Sequence, residues 1–120
     1  MPLYTKSIQV PREQADGIRI CVMRKPGVNT EWDIWIPRLA PSFKLLQDYA
    51  QGVIGWDRYV QRFHEEVIVG QQEFLELLID MSKQRVVTIL CFETTPEKCH
   101  RRLIAEFCAQ KVPDLTVIIE

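Results

Sequence analysis

Apolar positions along the chain fall into short blocks with two different periods. "VVTILCF" (86–92) is the clearest of one kind: seven residues, nearly continuous and rich in β-branched types, as expected of a strand covered on both faces. "IRICVM" (18–23) has the same character, "LYTKSIQV" (3–10) alternates loosely as a first strand, and "LTVIIE" (115–120) reads as a last one. The polar segment 11–17 and the Pro26-Gly27 pair interrupt the first half.

The other blocks repeat at helical spacing. Ser42 is a good N-cap for "FKLLQDYA", which stops at Gly52. In 55–69, Trp56, Tyr59, Val60, Phe63 and Val67 form one stripe, and Arg58, Arg62 and Glu66 are expected to face water. Phe74, Leu75, Leu78 and Ile79 place a third helix over 71–83. Thr95 and Pro96 supply an N-cap and a first helical residue for a helix over 96–111. Segment 30–42 carries both periods: Trp32, Trp35, Ile36 and Leu39 at helical spacing, and Trp32, Ile34 and Ile36 in alternation. The capping-box-like Thr30 and Asp33 favour one or two helical turns there.

A strand, a helix and a returning strand at the end read as a βαβ unit with parallel strands. The expected fold is one α/β domain over residues 1–120, with a mostly parallel sheet of about four strands covered by helices. A length of 120 residues permits one core and no more.

Composition narrows the function classes. Fifteen basic against 16 acidic residues give a net charge of −1, which argues against a general grip on nucleic acid or membrane. No apolar window is long enough to span a bilayer, and "MPLYTKSIQVPREQ" lacks the apolar core of a signal peptide. A cytoplasmic location follows as the expectation. The four cysteines, Cys21, Cys91, Cys99 and Cys108, then read as free thiols, with Cys21 and Cys108 as small buried hydrophobes.

Chemistry concentrates in "LCFETTPEKCHRRLIAEF" (90–107). On a wheel of about 100° per residue with Cys99 at the origin, His100 falls in the middle of the buried stripe of Leu103, Ile104 and Phe107. Cys99 falls at its edge, and Arg101 and Arg102 flank it on opposite sides, with Arg102 set to pair with Glu106 in solvent. His100 therefore sits on the first turns of its helix, beside the strand end that carries Glu93. Ligands of open α/β sheets bind in the crevice at that edge. Lys98, Arg101 and Arg102 lie where the helix dipole disfavours cations, which suggests an anion site. Zinc comes to mind because Cys91, Glu93, Cys99 and His100 are all ligand types. Adjacent helical residues diverge by about 100°, however, and no C-x-x-C pair occurs. No metal and no cofactor are expected. His64, the only other histidine, borders an apolar stripe and reads as structural.

Three stretches resemble domain of unknown function 488, particularly its YeaO-like branch. Residues 39–67 look like that branch's central helical region, with its APS turn. Residues 87–107 are similar to the family's strand followed by C-x-E and then C-H-R. Residues 17–27 look like the branch's strand ending in an Arg with a Pro-Gly turn. The family motif falls on Cys91, Glu93, Cys99, His100 and Arg101, and on Arg24, Pro26 and Gly27. The branch usually has a longer R-x-x-P-R-G turn; "RKPG" here lacks its second Arg. The resemblance implies where the site is and carries no reaction.

The expected activity is acid/base chemistry on a small anionic ligand, phosphorylated or nucleotide-like. Glu93 serves as base or orienter and His100 as the acid/base group, while Arg24, Cys99 and Arg101 hold substrate. Two alternatives stand beside it. One is a non-catalytic binding module using an aromatic patch of Trp32, Trp35 and Trp56. The other is a homodimeric scaffold in which Glu93, His100 and Arg101 form a structural polar network.

Overall fold

A computed structural model describes residues 2–120. It holds five strands, β1 (Leu3–Ser7), β2 (Ile18–Cys21), β3 (Ile34–Trp35), β4 (Val87–Cys91) and β5 (Val117–Ile119). Four helices, α1 (Phe43–Ala50), α2 (Trp56–Phe63), α3 (Gln72–Gln84) and α4 (His100–Lys111), complete the frame. α2 continues into a π-helical segment, His64–Val69. The sheet order is β3-β2-β4-β1-β5 and every pairing is parallel. The terminal β4-α4-β5 crossover passes over β1, which lies between the two strands it joins.

Strand alternation divides the buried side chains between two faces. Leu3, Ile20, Val22, Val87, Ile89 and Cys91 belong to the main core, together with Leu45, Tyr59, Phe63, Leu75, Leu78 and Ile104 from the helices. Ile8, Cys21 and Leu90 form a small cluster on the opposite face, without a helical partner. The handedness rule accounts for this division. Crossovers that move one way along the sheet, β3 to β4 and β4 to β5, carry the helices; those that move the other way, β1 to β2 and β2 to β3, must run over the other face.

The loop face is closed by a buried ion pair. Arg19, fully buried on β2, donates through Nη1 to Asp16 at 2.8 Å, and Lys6 of β1 donates to the same carboxylate at 2.7 Å. Burial by itself would raise the Asp16 pKa, but the hydrogen bonds from Lys6, the Glu13 backbone and Arg19 outweigh it and hold the carboxyl below its ordinary range. Gly17, next to this pair, has φ +63° and ψ −133°, and a Cβ there would fall on the Val86 carbonyl oxygen. The chain thus turns into β2 against β4 at a point where only glycine fits.

Two expectations need correcting. Segment 30–36 is not a helix: Ile34 and Trp35 pair with Ile20 and Cys21, and helical geometry is limited to a 3-10 turn at Pro37–Leu39. The alternating period describes it, because backbone pairing to the open edge of β2 outweighs the local helical spacing. Glu66 does not face water. Its carboxylate accepts from the backbone N–H and the hydroxyl of Ser42, both at 2.9 Å, while the same hydroxyl accepts from Leu45 N–H at the start of α1.

Candidate functional site

β2 and β4 are neighbours whose following connections leave in opposite directions, β2 towards β3 and β4 towards β5. Such a switch point opens a crevice at the carboxyl ends of the strands. A cavity of about 270 Å³ lies there, between Met23, Arg24 and Lys25 after β2 and Phe92 and Glu93 after β4. Its floor is Cys99 and His100, and Phe43, Tyr49 and Tyr59 supply an aromatic wall from α1 and α2.

The helix that carries the floor begins four residues later than the sequence suggests. α4 starts at His100, and Cys99 is its N-cap with extended backbone, φ −134° and ψ 140°. Thr95 and Pro96 lie in the preceding bends. Local capping preference gives way here to tertiary contacts of Cys99. Its thiol turns inward to 2.8 Å from the Cys91 sulfur at the end of β4. Cys99 and His100 are therefore not consecutive residues on one wheel. The Cys91 and Cys99 sulfurs and a His100 ring nitrogen all lie within 4.8 Å of one another. The divergence that counted against a metal is absent.

His100 is held by two groups. Its Nε2 lies 2.6 Å from the Val22 carbonyl oxygen, which can only accept, so Nε2 carries a proton. The Cys91 sulfur lies beside the ring, 3.4 Å from Nδ1 and 3.5 Å from Nε2. The ring also packs on Phe63, the end of a stacked series through Tyr59 and Trp56.

Arg101 is completely buried, although helical spacing turned it out of the apolar stripe. Nη1 donates to the Glu93 backbone carbonyl at 2.8 Å and to the Cys99 sulfur at 3.4 Å, and Nη2 donates to the Glu120 carbonyl at 3.2 Å. It pairs with no carboxylate among the described residues. A buried guanidinium at a helix N-terminus favours a negative neighbour, and the Cys99 sulfur is in place to be one. The hydrogen bond shared with the Cys91 thiol holds the Cys99 pKa well below the ordinary thiol value, with the histidine adding to the effect. Cys91 itself is pushed up, by burial first and then by that hydrogen bond. Partial burial, and next the Cys99 charge, push the Glu93 carboxyl up as well.

Four of the five residues singled out from the sequence, Arg24, Glu93, Cys99 and His100, line the cavity, and Arg101 lies beneath it. Glu93, His100 and Arg101 do not form a mutual side-chain network; Arg101 reaches the backbone of Glu93. Arg24 is anchored by the carbonyls of Pro41 and Ala40, both at 3.1 Å, and its guanidinium lies over Phe43. Arg102 meets Glu106 at 3.6 Å, as helical spacing suggests. Cys21 and Cys108 are buried thiols whose pKa burial raises. The three tryptophans are not one patch: Trp32 lies by Trp35, whereas Trp56 stacks on Tyr59. The sequence reading missed Cys91 as a site residue and the aromatic wall. The first had a signal, since Cys91 alternates in phase with Val87 and Ile89 at a strand's carboxyl end. The wall had none, because Phe43, Tyr49 and Tyr59 meet the floor only after α1 and α2 fold back.

A family model described as DUF488-N3a, the active DUF488-N3 subclade, matches residues 3–112. The chain belongs to the DUF488 family. The match is compatible with the YeaO-like branch to which its motifs are similar. No curated protein and no solved structure matches the chain. No helix among the described residues of this DUF488 protein is long and apolar enough to cross a membrane.

Proposed function

We propose that this DUF488 protein is a cytoplasmic enzyme that binds a small anionic ligand in the cavity at the switch point and transfers a proton through Glu93. One observation carries the reading. Arg24, Lys25 and Lys98 surround an opening whose wall is aromatic and whose floor is Cys99 and His100. Cations at the rim suit a phosphate or carboxylate, and flat aromatic side chains suit a planar portion of the same ligand. A phosphorylated nucleoside has both parts. Glu93 lines the cavity from the end of β4, so it is the residue assigned the proton transfer. His100, whose Nε2 donates to the Val22 carbonyl and whose ring lies beside the Cys91 sulfur, positions the floor. Arg101 supports Glu93 and Cys99 from below rather than touching the ligand. The family model's description as an active subclade supports an enzymatic role over a purely structural one.

Thermal-shift and calorimetric titration with nucleoside monophosphates, the matching nucleosides and inorganic phosphate test this reading. The monophosphates are expected to raise the melting temperature, and Arg24→Ala and Lys98→Ala to weaken that effect roughly tenfold each, with Lys83→Ala unchanged. No response to any of these compounds, or a response that both rim variants leave intact, rejects the ligand class.

A further inference from the structure

We propose that Cys91, Cys99 and His100 form a three-ligand site for a thiophilic divalent cation, zinc being the reference ion, with an open fourth position facing the cavity. The site shares the cavity floor but does not depend on which ligand the cavity takes.

The donor set and its geometry carry this inference. Two sulfurs and an imidazole nitrogen lie within 4.8 Å of one another, and all three side chains are buried. Cys91 is set by the end of β4, Cys99 by the N-cap of α4 and His100 by its first turn. Nε2 donates to the Val22 carbonyl at 2.6 Å, which leaves Nδ1 as the nitrogen free to ligate; the Cys91 sulfur lies 3.4 Å from Nδ1 and 3.5 Å from Nε2, so the ring turns modestly to aim Nδ1 at an ion. A ligand histidine whose second N–H is fixed by a backbone carbonyl is the usual outer-shell arrangement at metal sites. With Zn–S near 2.3 Å and Zn–N near 2.0 Å, a tetrahedral ion sets its donors roughly 3.5–3.8 Å apart. The Nδ1 to Cys91 separation of 3.4 Å is close to that. The sulfurs, at 2.8 Å, must part by roughly 1 Å to admit the ion.

Charge balance agrees. With both cysteines as thiolates, Cys91 and Cys99 together match the charge of a divalent cation. Three protein ligands with a vacant side towards a cavity is the pattern of sites whose ion meets substrate or water. Glu93, at the rim, is then a proton carrier beside the ion rather than a ligand.

Cobalt(II) and zinc(II) titration of the reduced, chelator-treated full chain tests the proposal. One equivalent of cobalt is expected to bind, with thiolate-to-cobalt charge-transfer absorption and the intense visible bands of a tetrahedral site, and zinc to displace it. Cys91→Ser, Cys99→Ser and His100→Ala should each weaken binding by roughly 100-fold or more, while Cys21→Ser and Glu93→Gln leave it within a few-fold. Circular dichroism establishes that each variant is folded. Should a ligand variant not fold, zinc protection of the wild type decides: Cys99, which lines the cavity, must become resistant to alkylation. The proposal is wrong if the reduced wild type takes up no stoichiometric cobalt or zinc, if Cys99 stays unprotected, or if binding survives loss of Cys99 and His100. Loss of the metal site leaves the response to monophosphates standing, and absence of that response leaves metal uptake standing, so the two readings fail separately.

Discussion

The Arg101 guanidinium donates to the backbone carbonyl of Glu93 at 2.8 Å from a position with no solvent exposure. A buried cation thus ties the first turn of α4 to the end of β4 through backbone oxygen rather than a carboxylate. Its other bonds run to the Cys99 sulfur and to the Glu120 carbonyl beyond β5. One side chain therefore braces the loop over the candidate site and the edge strand together.

Replacing Arg101 by Met keeps most of the volume and removes all three bonds. Each carbonyl that loses its donor costs about 1–3 kcal/mol. Arg101→Met is expected to destabilise the fold by about 2–4 kcal/mol in equilibrium urea unfolding. A change under about 0.5 kcal/mol, the range of ordinary surface substitutions, contradicts the bracing role.

On the opposite face, Asp16 neutralises the fully buried Arg19. Asp16→Asn leaves that guanidinium without a counter-charge and is expected to cost about 3–5 kcal/mol. The sign of the pH effect follows from the lowered carboxyl pKa. Stability from this pair is present above the ordinary carboxylate pKa of about 4 and is lost as pH falls through the folded value. Urea midpoints followed from neutrality to about pH 3 should fall more steeply for wild type than for Asp16→Asn. Parallel curves would assign acid unfolding to other groups.

Gly17→Ala tests the entry into β2. The new Cβ meets the Val86 carbonyl oxygen, which belongs to backbone and cannot rotate away, and the positive φ adds strain. A loss of at least about 3 kcal/mol, or failure to accumulate folded protein, is expected. Unchanged unfolding would mean that the turn adopts another conformation.

Cys99 should behave as a thiolate at neutral pH in reduced, metal-free protein, because its pKa is held well below the usual thiol value. An ordinary thiol, with a pKa of about 8.5, alkylates roughly tenfold more slowly per pH unit below that value. Iodoacetamide labelling of Cys99, read by peptide mass spectrometry, is expected to vary little between about pH 6 and pH 8. Cys91→Ala removes the thiol that shares a hydrogen bond with Cys99 and should restore a rising profile. A tenfold-per-unit dependence in the wild type would show that Cys99 is protonated. Cys108, whose thiol burial pushes up to about 12, should label only on unfolding.

The sequence by itself determined the α/β class, the parallel sheet and most of its elements. "VVTILCF" contains β4, "FKLLQDYA" is α1 residue for residue, and the helical stripe of 55–69 spans α2 with its π-helical continuation. These are local matters, written in period, β-branching and caps. The edge that holds the candidate site was legible too, because in a parallel sheet the residues after β2 and β4 leave at the same carboxyl edge.

Tertiary structure decided what period cannot encode. A good N-cap at Thr95 was passed over so that Cys99 could reach Cys91, and four residues' difference in helix start changed which side chains converge. Arg101 became fully buried because backbone carbonyls of Glu93 and Glu120, remote from it along the chain or hidden by the loop, solvate its charge. Segment 30–36 became an edge strand because β2 offered unpaired backbone. Each outcome depends on partners brought together only by the finished sheet, and their energies of a few kcal/mol exceed the local preferences of about 1 kcal/mol from which the sequence is read.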